Sequence, residues 1–117
     1  MLNGVSALPS FDKGKAMEMA GGDEEFLKEL VQLFLADYPE KLSQIQQALQ
    51  QRDANTLYQV AHSLKGACAN LGLERARALS FEIEKRGREE KLEGVKEIYE
   101  DLRKELEDLK GQLLSGP

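Results

Sequence analysis

The sequence predicts an all-α protein, an antiparallel up-down four-helix bundle with a short additional N-terminal helix. Four long segments carry apolar residues at intervals of three and four, which is the period of an amphipathic helix. The turns between these segments are short, so consecutive helices are expected to run antiparallel. With 117 residues, of which 41% are hydrophobic and 32% charged, the chain is long enough to form one core and too apolar to be disordered.

The N-terminal part of the chain divides into two regions. Residues 1–10 contain Gly4 and Pro9 and have no helical period, so we expect a disordered or linker segment there. The domain then spans residues 11–114. It begins with a short helix over residues 12–20, which the glycine pair at positions 21 and 22 ends.

Capping residues mark the first two long helices. Asp23 is a good N-cap for a helix that runs to about residue 52. Asp53 is a good N-cap for the next helix, and Gly72 suits the left-handed position that follows a helix C-terminus. The second long helix is therefore expected between Asp53 and Gly72.

The last two helices are predicted mainly from their apolar periods. The third long helix is expected from Leu73 to about Arg86, with Gly87 as its end. The fourth is expected from about Glu89 and has the most regular stripe in the chain. That stripe consists of Leu92, Val95, Ile98, Tyr99, Leu102, Leu106, Leu109 and Leu113.

The helix predicted between positions 53 and 72 contains the single histidine of the chain, His62. At ~100° per residue, seven of its residues lie within about 60° of Leu64 and form a core face, whereas His62 lies near 160° and points outward. The core face consists of Leu57, Val60, Ala61, Leu64, Ala67, Cys68 and Leu71. Lys65 and Gly66 share the exposed side with His62.

This exposed side suits the transient holding of an anion. An exposed imidazole is largely neutral and nucleophilic at pH 7, and here a cation lies beside it with no bulky side chain in front. Gly66 costs roughly 0.5 to 1 kcal/mol relative to Ala inside a helix, which close approach of another protein would justify. Helical geometry alone leaves open that His62 is an ordinary surface histidine.

The run of residues 62–72, HSLKGACANLG, resembles the signature of histidine-containing phosphotransfer (HPt) domains of two-component phosphorelays. The resemblance covers about residues 11–110. Its other matching positions are Phe11, Asp12, Ala16, Gly22, Asp23, Phe34, Pro39, Ala61, Ile83 and Glu84.

The resemblance implies a role for each residue of the motif. His62 would accept a phosphoryl group from a receiver-domain aspartate and pass it to another receiver domain. Lys65 would offset the charge of the phosphoryl oxygens, while Gly66 and Ala69 would let the partner approach. Glu84 would orient the imidazole, although the spacing equally allows an exposed Glu84 paired with Arg88 at i,i+4.

The resemblance also implies the partners and the cofactor. The partners would be response-regulator receiver domains and a hybrid sensor histidine kinase. The domain itself would need no cofactor, because the receiver domain would bring Mg²⁺ together with the aspartate.

The residue inventory argues against an enzyme with its own active site. One histidine and one cysteine cannot supply a zinc site, and no GxxxxGK[ST] loop for ATP occurs. Ser63, adjacent to His62, points about 100° away from it on a helix and cannot form a hydrolytic dyad. The net charge of -5 and the lack of a basic block argue against nucleic acid.

We expect a cytoplasmic monomer without membrane contact, either free-standing or a module of a membrane-anchored sensor kinase. The single cysteine favours a reducing compartment, and no apolar run approaches 18 residues. Two alternatives remain. One is a helical docking module that works without phosphorylation, and the other is a dimeric coiled coil built on the last helix.

Overall fold

Five α-helices make up most of the computed structural model, which describes residues 2–114. They are α1 (Lys13–Met19), α2 (Glu24–Gln50), α3 (Ala54–Asn70), α4 (Glu74–Glu89) and α5 (Val95–Leu114), preceded by a 3-10 turn at Val5–Ala7. The described residues contain no β-strand, and the predicted all-α class is confirmed. None of these helices is long and apolar enough to cross a membrane.

The four long helices form a closed ring of neighbours. Helix α3 packs against α2 and α4, and α5 packs against α4 and α2. Three residues separate α2 from α3 and α3 from α4, so these consecutive helices are antiparallel. The short helix α1 contacts α2 and α3. The arrangement is the predicted four-helix bundle with one additional short helix.

Three aspartates cap helices: Asp23 and Asp53 as predicted, and Asp12 at the start of α1. Each accepts a hydrogen bond at 3.1 Å from the backbone N–H three residues later, and such a cap stabilises a helix by about 1 kcal/mol. The pairs are Asp12 with Lys15, Asp23 with Phe26, and Asp53 with Thr56.

The predicted core face of α3 is confirmed. Leu57, Ala61, Leu64 and Cys68 are buried, and the flanking Val60 and Ala67 are partly buried against the core. The face opposite Leu64 is therefore left for solvent, and His62 lies on it. The helix ends as predicted, because Gly72 adopts a left-handed conformation with φ 65° just after α3.

The turn at Gly72 is also hydrogen-bonded to the residue that precedes α1. The Gly72 carbonyl accepts a hydrogen bond from the Asp12 amide at 2.8 Å. A Cβ at position 72 would collide with the Asp12 carbonyl oxygen, so a glycine is required both by the backbone angle and by this close approach.

The bounds of α4 and α5 differ from the prediction. Gly87 does not end α4, which continues to Glu89 and closes with Glu90 in a left-handed conformation. Helix α5 begins at Val95 and not near Glu89, after Gly94 with φ 78°. Gly87 lies buried inside the helix because α3 passes too close for any side chain at that position.

The N-terminal segment was predicted as disordered or as a linker. Met1 lies outside the described residues, whereas the 3-10 turn at Val5–Ala7 contacts α4. The Arg75 guanidinium donates to the carbonyls of Leu8 (2.6 Å) and Ser6 (2.8 Å), and Val5 is buried. These contacts join residues almost 70 positions apart in the chain. The composition of residues 1–10 alone therefore could not predict them.

Candidate functional site

His62 projects from the exposed side of α3, and its side chain is 60% exposed. The outward direction predicted from the helical wheel is thus confirmed. Its Nδ1 atom lies 2.9 Å from Oε1 of Glu84. Because an ionised carboxylate can only accept a hydrogen bond, Nδ1 carries the hydrogen. In the neutral imidazole, the other nitrogen, Nε2, therefore keeps a free lone pair.

Glu84 reaches this position from α4 and is buried. Burial alone would raise the pKa of its carboxyl group, but the hydrogen bonds from Lys65 and His62 outweigh burial and hold the pKa below its ordinary value of 4.5. The carboxylate is thus ionised at neutral pH and accepts the hydrogen bond from Nδ1–H. The sequence allowed Glu84 to contact His62 or to pair with Arg88, and the structure shows the contact with His62.

Lys65 binds the same carboxylate oxygen. Its Nζ atom lies 2.9 Å from Oε1 of Glu84, and its side chain is 26% exposed. The wheel predicted an ammonium group beside the imidazole on an open face. In the structure, the ammonium group is held by Glu84, which brings His62, Lys65 and Glu84 together around one oxygen atom.

Two aromatic side chains complete the surroundings, and the sequence assigned neither of them to the site. Tyr58, one turn before His62 on α3, stacks near the imidazole with ring centroids 6.1 Å apart and planes 22° apart. Phe81, one turn before Glu84 on α4, has the Lys65 Nζ atom 5.2 Å from its ring centroid. Its position three residues before Glu84 was the signal that could have identified it.

The surface next to His62 is open at Gly66. This glycine is exposed, and a Cβ atom added there would have no neighbour within 4 Å. Ala69, three residues later, is partly buried and adds one methyl group to the same helix. Gly66 and Ala69, which were predicted to let a partner approach, therefore place no large side chain on α3 next to His62.

Cys68 lies on the opposite side of α3 and is fully buried, as predicted. Burial raises the pKa of its thiol to about 12, although the Ser80 hydroxyl partly offsets the effect. The thiol is therefore protonated at neutral pH and is not a nucleophile of this site.

The site combines one imidazole, one ammonium group and one carboxylate. Among residues 2–114, no three His, Cys, Asp or Glu side chains are grouped as metal ligands would be. The groups present are a nucleophilic nitrogen, a neighbouring ammonium ion and a buried carboxylate that can stabilise positive charge on the ring.

The profile of the Hpt domain family matches residues 29–112, which is well over half of the chain and includes all of the residues described above as the site. The chain belongs to the Hpt domain family. The family that the sequence motif indicated is thereby confirmed.

Individual proteins agree with the family assignment. This Hpt domain is 28% identical to histidine-containing phosphotransfer protein B from Pseudomonas aeruginosa, covering 83% of this chain and 84% of that one with a TM-score of 0.77. It is 25% identical to the HPT domain of a sensor hybrid histidine kinase from Shewanella, covering 91% and 94% of the two chains with a TM-score of 0.79.

A curated relative is the phosphorelay intermediate protein rdeA from Dictyostelium discoideum. The identity is 26% over 106 residues, which is 91% of this Hpt domain. The matched region spans 42% of the length of rdeA.

Proposed function

We propose that this Hpt domain is a phosphoryl carrier of a two-component phosphorelay, with His62 as the residue that accepts the phosphoryl group. The observation that carries the proposal is the hydrogen bond from Nδ1 of His62 to the buried Glu84 carboxylate. It leaves Nε2 as the nucleophile on an exposed ring and prevents that ring from turning.

The transfer step follows from this arrangement. The Nε2 lone pair attacks the phosphorus of an aspartyl phosphate on the partner. As the Nε2–phosphorus bond forms, the bond between phosphorus and the carboxyl oxygen breaks, and the electron pair leaves with the aspartate. The imidazole gains positive charge, which Glu84 stabilises through Nδ1–H at 2.9 Å. Transfer to the next receiver domain is the reverse step.

Lys65 supplies the cation for the phosphoryl oxygens. Its ammonium group already lies in the site, held by Glu84 at 2.9 Å. Most catalysis of phosphoryl transfer comes from positioning and from stabilising charge, and a prepositioned lysine contributes to both.

Gly66 and Ala69 admit the partner. A receiver domain must bring its aspartate within reach of Nε2. A Cβ added at Gly66 would meet no other part of the protein within 4 Å beyond the adjoining turns of its own helix. Gly66→Leu should therefore slow transfer while leaving the bundle folded, because the leucine side chain holds the partner away from His62.

The partners are response-regulator receiver domains and a hybrid sensor histidine kinase, and the receiver domain brings Mg²⁺. This division fits a site with no ATP loop in the sequence. The domain acts as a carrier without an ATP-binding or hydrolytic site of its own, and we expect a cytoplasmic monomer.

The experiment is transfer of label from a phosphorylated receiver domain. With the receiver and Mg²⁺, wild-type protein should become labelled and His62→Gln should not, whereas ATP and Mg²⁺ alone should label neither. The label should be lost in acid and survive base, as a phosphoramidate does and an acyl phosphate does not. Receiver domains that bind the protein but never label it would instead establish a docking module that works without phosphorylation.

A further inference from the structure

We propose that Phe81 is a positioning residue for phosphoryl transfer, acting through Lys65. This inference rests on the proposed function. The observation is that the ammonium group of Lys65 lies over the Phe81 ring, with Nζ 5.2 Å from the ring centroid, within the range of a cation–π interaction.

Two side chains of α4 contact the ammonium group of Lys65. Phe81 and Glu84 are three residues apart and therefore lie one above the other on the same side of α4. Glu84 contacts the ammonium group at 2.9 Å, and the centroid of the Phe81 ring lies 5.2 Å from it. The flexible lysine side chain is thus confined by two contacts, and only the contact with Glu84 comes from a charged partner.

The two contacts have different consequences for catalysis. The Glu84 carboxylate carries a full negative charge, so it competes with a phosphoryl group for the ammonium ion. It also must serve the Nδ1 hydrogen of His62, which lies 2.9 Å from the same oxygen. The Phe81 ring attracts the ammonium ion through its quadrupole and neutralises none of its charge. Phe81 therefore keeps Lys65 in place when phosphoryl oxygens draw it away from Glu84.

The exposure of Phe81 supports this role. Phe81 is 42% exposed and is not part of the buried core, so its ring is accessible to the ammonium group of Lys65 at the surface. A cation–π interaction needs an aromatic ring and tolerates solvent on the other face of the ring, so this exposure is compatible with the role.

The test compares rates of transfer from a phosphorylated receiver domain at increasing receiver concentration. Phe81→Leu should lower the maximal rate by about two- to fivefold and leave the half-saturating receiver concentration unchanged. Phe81→Tyr, which keeps the ring, should restore the wild-type rate. Phe26→Leu on α2 is the matched control, since Phe26 is 44% exposed and its replacement should leave the rate unchanged.

A double-mutant cycle separates action through Lys65 from direct contact with the partner. In the Lys65→Ala background, Phe81→Leu should change the maximal rate by less than about twofold, because the residue that Phe81 positions is gone. An undiminished effect in that background, or a raised half-saturating concentration, would overturn the proposal in favour of partner contact. A wild-type rate for Phe81→Leu would also overturn it. Failure of the wild-type protein to accept label would instead refute the proposed function.

Discussion

Replacing Gly87 by alanine tests how closely α3 and α4 approach beside the site. An added Cβ would lie 2.8 Å from the backbone nitrogen of Tyr58 and 3.0 Å from the Ala54 carbonyl oxygen. Both neighbours are backbone atoms of α3, so no side chain can rotate away and the two helices must separate. Overpacking of this kind costs about 1–3 kcal/mol.

Gly66→Ala provides the matched control on the facing helix. Both substitutions gain about 0.5–1 kcal/mol of helix propensity, but a Cβ at position 66 has no neighbour within 4 Å. Gly66→Ala should therefore raise the free energy of unfolding by about 0.5–1 kcal/mol. Gly87→Ala should lower it, so that the two variants differ by about 1–3 kcal/mol.

The separation should also reach the site. Gly87 lies one turn after Glu84, and its neighbour Tyr58 lies one turn before His62. Moving α4 away from α3 here should lengthen the 2.9 Å contact between Glu84 and His62. We expect phosphoryl transfer to slow several-fold, with an upper limit of about 10²-fold for 1 Å of misplacement.

The measurements are urea unfolding followed by circular dichroism and the rate of label transfer from a receiver domain. Equal unfolding free energies for the two alanine variants would refute the close approach of α3 and α4. A destabilised Gly87→Ala with a wild-type transfer rate would show that the site does not depend on the spacing of these helices at Gly87.

Three further predictions concern single groups. Native Cys68 should react slowly with thiol reagents, and fast labelling of the folded protein would contradict its burial. Cys68→Asp should lower the free energy of unfolding by roughly 3 to 5 kcal/mol because it buries an unpaired carboxylate. The lowered pKa of Glu84 means that the unfolded chain binds its proton first as pH falls, so Glu84 should stabilise the protein above about pH 4.5 and lose this effect below. The difference in unfolding free energy between wild type and Glu84→Gln should therefore shrink from pH 7 to pH 3, and a constant difference would contradict this. His62→Gln should shift the free energy of unfolding by less than about 1 kcal/mol, since the His62 side chain is 60% exposed and Lys65 still pairs with Glu84. A larger decrease in the free energy of unfolding, measured in urea, would indicate a structural role for His62.

The sequence alone determined the features that depend on neighbours along one helix. The caps at Asp23 and Asp53 and the core face of α3 follow from residues within a few positions of one another, because a helix repeats every 3.6 residues. The outward direction of His62 follows in the same way. The motif around His62 was sufficient to indicate the Hpt family.

The end of α4 and the start of α5 could not be predicted from neighbours along one helix. Gly87 in the sequence resembles a helix end, since glycine commonly follows a C-terminus. In the structure, it serves the contact between α3 and α4, and α4 continues past it. Helix α5 begins at Val95, later than predicted, because Glu90 and Gly94 both adopt left-handed backbone angles. The apolar stripe, which includes Leu92, does not reveal these angles.

The contacts of the site were decided by the tertiary structure. Glu84 was compatible with His62 and with Arg88 as a partner, because periodicity places a side chain on its own helix and says nothing of the rotation or height of the next helix. Those two quantities are set by packing, and here the absence of a side chain at Gly87 lets α4 approach α3 closely. That approach places Glu84 within 2.9 Å of both His62 and Lys65.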